Sequence, residues 1–235
     1  MFDLLLTRPL FNALILIYDF SPVANLGVAI VAITILIKLA LWPLTGASMK
    51  SQKAMQAIQP KINEVKRQFK DDKAGQAKAI MELYKQEKVN PLSSCFPILV
   101  QIPILLALYL ALRRSMDPSA LASLYTFVPA PTALHTLFVA GIDLAKISWP
   151  LAILAGAAQY VQTKMMMVAK PPKSVEGQEG AKDEEMAAMM TKSMTYMMPV
   201  VTVVAGASLP GGVALYWLVS NLVSIIQQWL VMKKR

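Results

Sequence analysis

The stretch from Leu26 to Leu44, LGVAIVAITILIKLALWPL, constrains the fold most: it is an apolar run with one charge, Lys38, inside it. A hydrocarbon core ~30 Å thick needs about 20 helical residues at ~1.5 Å rise each, so this run is long enough to cross a bilayer. It therefore carries a lysine into lipid, and two readings of that lysine are open. In one, Lys38 snorkels, stretching its ammonium to the nearer headgroups. Against this, Cβ bonds tilt toward a helix's N-terminus, so the side chain would reach against its natural direction. The other expected spans also hold no Asp or Glu to pair with it. In the other reading, water reaches the charge inside the membrane. Thr34 and Thr45, four before and seven after Lys38, would place hydroxyls on the same face of a continuous helix. That is a wet cavity with one positive charge for a visiting acidic group.

Composition supports a membrane setting, since 56% of residues are hydrophobic and the mean hydropathy is +0.49. The net charge of +9 then belongs to the loops and points to anionic headgroups and cytoplasmic topology; no nucleic-acid specificity is expected. A single cysteine, Cys95, excludes an internal disulfide and a cysteine metal cluster, and His135 is equally solitary. No nucleotide-binding loop is present, so no cofactor is expected, and the spans hold no acidic pair, HExxH or Ser-His arrangement that would suggest an enzyme. Met1 to Leu16 has neither a basic leader nor a small-residue cleavage site, and no cleavable signal or lipid anchor is expected.

Phe2 to Phe20 is apolar but interrupted by Asp3, Arg8, Pro9, Asn12 and Asp19, so residues 1–22 read as an amphipathic helix lying at the membrane interface. Residues 23–232 then form the core. From Gly46 to Lys88 the composition flips to ten Lys or Arg against Glu64, Asp71, Asp72, Glu82 and Glu87. Yet Met55, Ile58, Ile62, Val65 and Phe69 recur at steps of three and four, and Ala77, Ile80 and Tyr84 continue after the turn signal Asp71 to Gly75. The spacing predicts an antiparallel helical hairpin over 46–90 in water, its first arm bent by Pro60.

Asn90-Pro91 predicts a helix start, and a second span follows over about Leu92 to Leu112, containing Pro97, Gln101 and Pro103. Ser115 to Ser148 is broken by Pro118, Pro129, Pro131 and Gly141 and reads as interfacial helix and loop. Span three is expected over Trp149 to Val168, and a charged, mobile loop over 169–190. Spans four and five, about Thr191 to Ser208 and Gly211 to Met232, are separated by Leu209-Pro210-Gly211-Gly212 and must form a tight hairpin. Span five carries Trp217, Ser220, Asn221, Ser224 and Gln228 along one face. With five spans, eighteen Lys and Arg lie on the side of the hairpin, the second loop and the basic tail 233–235, against four on the other. The positive-inside rule then puts the N-terminus outside and the C-terminus in the cytoplasm, with Arg113-Arg114 a local exception.

Several motifs together resemble the YidC family of membrane protein insertases. They are Pro43-Leu44-Thr45 after the charged span, Ile58-Gln59-Pro60-Lys61-Ile62, the stretch Tyr84 to Leu92 continuing through Cys95 to Ile104, and Leu209 to Gln228 with its Leu215-Tyr216-Trp217 and Ser220-Asn221-Leu222. The resemblance covers nearly the whole chain from Arg8 onward. It implies a five-helix core with a hydrophilic groove open to cytoplasm and lipid but closed outside, and a cytoplasmic hairpin that receives substrates. The family's groove cation is an arginine whose position falls on Lys38, and lysine keeps the charge without the planar five-donor fork. The same match implies Gln162, Trp217, Gln101 and Asn221 as groove residues, and Ile58, Pro60, Ile62 and Tyr84 as the recruiting hairpin. A tail ending at Arg235 is short for tethering a ribosome.

The expectation is an all-α membrane protein of five transmembrane helices, with a cytoplasmic antiparallel helical hairpin and an N-terminal interfacial helix. It is read as a non-enzymatic insertase in the inner membrane of a bacterium. Its partners would be nascent membrane proteins and the lipid bilayer, with the Sec translocon and the ribosome beside them. The alternative is a small solute or ion transporter that uses Lys38 as an anion site.

Overall fold

A computed structural model describes residues 1–70, 72–90, 96–115, 117–166 and 195–233. Among these the chain is helical, with no strand beyond two isolated bridges, Leu137 to Asp143 and Ile147 to Pro210. A wide-turn segment over Asp3–Thr7 runs into α1 (Arg8–Phe20). α2 (Leu26–Ala40) starts at Asn25, whose side-chain oxygen accepts from the Gly27 and Val28 N–H groups as an N-cap does. The helix breaks at Leu41, and α3 (Trp42–Ala57) departs at 64°. The cause is local, because Pro43 has no N–H to give to the carbonyl one turn earlier, while proline is well suited to a new helix's first turn. The charged run therefore bends at Leu41, and Thr45 lies beyond the break from Lys38.

α3 meets α4 (Gln59–Gln68) at a second break, Ile58, so Pro60 opens a helix in place of bending one. α5 (Lys73–Gln86) begins early because the Asp72 carboxylate accepts from the Gly75 N–H at 2.9 Å. Gly75 is thereby drawn into the helix, and the turn expected up to Gly75 is shorter. α6 (Phe96–Ser115) contains Pro103. Two short 3-10 turns, Pro118–Ser123 and Val139–Gly141, interrupt the linker to α7 (Trp149–Met166). α8 (Thr195–Gly206) and α9 (Gly211–Lys233) complete the bundle. Pro91, Cys95, the loop over 169–190, the start of the expected fourth span and the last two tail residues lie outside the described residues.

The outward surface of this bundle is apolar. Leu36 and Leu39 on α2, Leu99 and Ile102 on α6, Ile153 and Leu154 on α7, Val200 and Val204 on α8, and Leu222, Ile226 and Trp229 on α9 are all exposed. So much contiguous apolar surface belongs against lipid, where helices satisfy their own backbone groups. By length and composition, α9 over Gly211–Val231 is able to cross a membrane, and α2 with α3 pass the same test as one bent pair.

One end of the bundle is sealed. Leu14, Tyr18, Leu26, Ile30, Leu108, Leu112, Leu144, Val213 and Tyr216 form a buried cluster where α2 and α9 begin and α6 ends. The linker after α6 closes over it: the Phe138 ring lies against Gly27, where a Cβ would sit 2.0 Å from a ring carbon. Polar straps hold the linker down. Asn12 accepts from the Tyr125 N–H at 2.6 Å, the Tyr18 hydroxyl donates to the Ala133 carbonyl at 3.1 Å, and Arg8 donates to the Ser123 carbonyl at 3.2 Å. Arg114 pairs with Asp3 at 2.7 Å. In α1, Phe11, Leu14, Ile15 and Tyr18 face this packing, so part of the apolar surface expected to rest on a membrane is spent against protein. Leu4, Leu5, Phe20 and Val23 stay exposed.

Candidate functional site

Away from the sealed end, α9 turns polar on its inward side: Ser220, Asn221, Ser224, Gln227 and Gln228 are all buried. The Lys38 ammonium crosses from α2 and donates to the Ser224 hydroxyl at 2.9 Å, and Ser224 donates to the Ser220 carbonyl at 2.9 Å. Ser224 is 5% exposed, so the lysine points into the bundle, opposite to a snorkelling side chain. An ammonium has three N–H donors. Among the described residues Ser224 accepts one, and no carboxylate pairs with Lys38. Among the described residues nothing accepts from the other two donors.

Thr34 does not contribute a hydroxyl to this charge. Its Oγ1 donates to the Ile30 carbonyl at 2.6 Å and is buried, the back-bonding open to any threonine in a helix. Thr45, on the far side of the break, reaches Gln227 on α9 instead: its hydroxyl donates to Gln227 Oε1 at 2.9 Å, and Gln227 Nε2 donates to the Trp42 carbonyl at 2.8 Å. Thus α9 touches α2 through Ser224 and α3 through Gln227, one turn apart.

The other expected groove residues fall in different places. Gln101 on α6 donates to the Tyr216 hydroxyl at 2.7 Å. Asn221 donates to the Ala155 carbonyl at 3.2 Å and ties α9 to α7. Trp217 is half-buried against the apolar cluster, and Gln162 is half-buried on α7. α7 and α9 start from one platform, where Gly211 N–H donates to the Lys146 carbonyl at 2.8 Å, and they run in the same direction. Gln162, two turns past Ala155, and Gln228, two turns past Asn221, therefore share the stripe along which the two helices meet. Gln228 Oε1 and Gln52 Oε1 on α3 are buried without a partner among the described residues. An unpaired buried acceptor costs roughly 1–3 kcal/mol, so both have oxygen lone pairs to offer.

The structure joins Lys38 to Ser224 and Ser220 and, one turn on, joins Thr45 to Gln227; it does not bring Gln101 or Asn221 into hydrogen bonds with Lys38. Sequence reasoning put Thr45 on the face of Lys38 and Ser224 on the polar stripe of the last helix without joining either to its partner, and it did not single out Gln227 or Tyr216 as hydrogen-bonding partners. The available signal was the recurrence of Ser220, Ser224 and Gln227 at steps of four and three within an apolar helix.

A second cluster lies in the charged segment. Ile58, Ile62 and Val89 are buried, with Met55, Ile80, Leu83 and Tyr84 packed on them. Lys61 and Glu87 form an ion pair between the two arms, and burial pushes the Tyr84 phenol above its ordinary range. Pro60 is exposed beside this cluster. Val65 and Phe69, expected in the same seam, are half-buried and lie outside this cluster. Among the described residues no group of His, Cys, Asp and Glu converges to hold a metal.

An all-helical bundle with a lipid-compatible exterior, a sealed end and a lysine held inside on serine defines an α-helical membrane protein with a polar interior. The chain belongs to the 60Kd inner membrane protein family, whose model matches residues 16–235. It is 38% identical over 216 residues to the membrane protein insertase YidC of Pelobacter propionicus, covering 92% of this chain and 36% of that protein. It is 35% identical to the one of Brucella suis, covering 98% of this chain and again 36% of the relative. The one of Fusobacterium nucleatum is 36% identical over 212 residues, with 90% of this chain and 88% of the relative covered. The chain thus spans about a third of the length of the first two relatives and most of the third.

Proposed function

We propose that this chain is a membrane protein insertase of a bacterial inner membrane, acting without enzymatic chemistry. The observation that carries the reading is the Lys38 ammonium, drawn inward onto Ser224 with two donors open and no carboxylate beside it among the described residues. Two charges 4 Å apart attract by about 4 kcal/mol at an effective dielectric near 20, an upper guide to what an acidic group on an incoming chain gains. The gain lowers a barrier because water in the polar half has already met part of the charge's solvation. The remaining driving force is burial of the substrate's apolar helix in lipid, at about 25 cal/mol per Å².

In this reading α2, α6, α7, α8 and α9 are the five spans, residues 1–22 lie at the outer interface, and α4 with α5 form the cytoplasmic recruiting hairpin around Ile58, Pro60, Ile62 and Tyr84. The N-terminus is outside and the C-terminus inside. Exposed Leu4, Leu5, Phe20 and Val23 support the interfacial assignment, and the Arg114–Asp3 pair explains how a basic residue is kept on the outer side. Gln162, Trp217, Gln101 and Asn221 line or brace the groove around Lys38. The substrates are nascent membrane proteins, with the Sec translocon and the ribosome as partners implied by the family resemblance. The transporter reading gains no support from the relatives, which carry the insertase name.

Site-specific photo-crosslinking tests this directly. A photoreactive residue at half-buried Ile37 or Gln162 should capture a ribosome-stalled nascent membrane protein, whereas a probe on exposed Leu154 should capture it less. Equal capture at all positions, or saturable flux of small anions through the purified protein, would overturn the insertase assignment.

A further inference from the structure

The bend between α2 and α3 is held from outside the helix that bends. At the break, the Gln227 side chain from α9 uses both ends of its amide: Nε2 donates to the Trp42 carbonyl at 2.8 Å and Oε1 accepts from the Thr45 hydroxyl at 2.9 Å. Gln227 is 1% exposed, so each bond is made where water cannot substitute for it. The Thr45 hydroxyl also lies 2.9 Å from the Leu41 carbonyl and 3.3 Å from the Trp42 carbonyl, yet it has one proton to give. Gly46 next to it brings α3 close enough for the contact, its Cβ position lying 3.5 Å from Gln227 Nε2. One turn earlier on the same face of α9, Ser224 receives the Lys38 ammonium. α9 therefore grips the broken helix on both sides of its break, on α2 through a charge and on α3 through an amide.

We infer that Gln227 and Thr45 form a latch that sets the angle between α2 and α3 and thereby positions Lys38 against Ser224. They are positioning residues. Both hydrogen bonds lie at a helix break that Pro43 has left without its own ladder bond, so the angle there is free to vary once the latch is cut. Opening the angle moves α3 and the attached α4 and α5 relative to the charge. The latch thereby fixes the geometry between the segment proposed to recruit substrate and the charge proposed to attract it, and that functional consequence rests on the insertase reading.

The test uses the full chain in lipid nanodiscs, with spin labels at exposed Leu36 and Lys53 on the two sides of the break. Thr45→Val removes the donor to Gln227, Thr45→Ser restores it, and Gln227→Leu removes the amide. The distance distribution should broaden in Thr45→Val and in Gln227→Leu, and keep its original width in Thr45→Ser. Insertion of a substrate with an acidic tail should fall about fivefold in each damaging variant, the factor that one net hydrogen bond corresponds to. The same substrate with its tail neutralised should change less. The double variant should be no worse than either single one, since both cut the same latch. Additive losses, or a distance distribution unchanged in both single variants, would overturn the latch. The distance measurement contains no substrate, so a latch that responds in a protein that inserts nothing would retain this inference while removing the insertase reading. If Gln227→Leu fails to fold, Thr45→Val and Thr45→Ser alone decide it.

Discussion

At the scale of the residue, Lys38 is a charge with more donors than the described residues accept, and substitution separates charge from polarity. If charge attraction is the mechanism, Lys38→Arg should retain activity, because arginine keeps the positive charge. Lys38→Gln should reduce insertion of acidic-tailed substrates by about tenfold, which corresponds to losing roughly a third of the ~4 kcal/mol attraction. Lys38→Glu should fail further on those substrates, since like charges repel. Neutral-tailed substrates should suffer less in every case. Snorkelling would instead leave Lys38→Leu tolerated by every substrate. Insertion of one substrate with its tail carboxylates present or neutralised, measured across these variants, decides the matter, and equal losses for both tails would refute charge attraction. The charge itself was legible from one letter in an apolar run, but its acceptor was not: Lys38 and Ser224 are far apart in the chain, and nothing short of the packed α2–α9 pair brings them within 2.9 Å. Thr34 looked like a groove hydroxyl by spacing, and its own backbone claimed it, a competition that helical periodicity does not register.

At the scale of the element, the chain's punctuation was readable and its exact phase was not. Pro43 and Pro60 announced two interruptions. Which residue would break, Leu41 and Ile58, follows from where the carbonyls orphaned by proline fall. Of the apolar repeat in the charged segment, Met55, Ile58, Ile62, Ile80 and Tyr84 pack into one cluster, and Val65 and Phe69 are half-buried outside it. Replacing Ile58 and Ile62 with Asp should place two charges where the native side chains are 5% and 4% exposed. Burying an unpaired carboxylate costs several kcal/mol, so α4 and α5 should separate in response. Amide hydrogen exchange over α4 and α5 should accelerate by at least tenfold with insertion impaired; unchanged protection together with full activity would show that the seam does not hold the arms. Between α7 and α8 the contact is closer still. A Cβ on Gly156 would sit 2.3 Å from Val203 and 3.1 Å from the Pro199 carbonyl, the kind of approach that small residues permit between membrane helices. Gly156→Leu should lower the melting temperature in detergent by several degrees, a shift on the scale of about 1–3 kcal/mol of overpacking, and Gly156→Ala should fall between it and the native chain.

At the scale of the whole molecule, the bundle is asymmetric along its own length. Leu26, Ile30, Leu112, Leu144 and Tyr216 are buried together at one end, with Phe138 laid over Gly27 as a cover. Toward the other end, Lys38, Thr45, Gln52, Ser224, Gln227 and Gln228 put polar atoms inside. In planar bilayers the protein should show no steady conductance, because among the described residues a buried apolar cluster closes that end. A sustained single-channel current would contradict that packing. The asymmetry also has an electrical consequence. Water that enters the polar half brings with it the voltage of the compartment it comes from, so the drop across the membrane is concentrated over the thin apolar end. A full elementary charge moved through that drop exchanges about 2.3 kcal/mol per 100 mV. If the polar half faces the cytoplasm, as proposed, an acidic group resting at Lys38, in the last turn of α2, has entered the bilayer and crossed little of its potential. In a cell that is negative inside, the rest of its journey then runs downhill through most of the field.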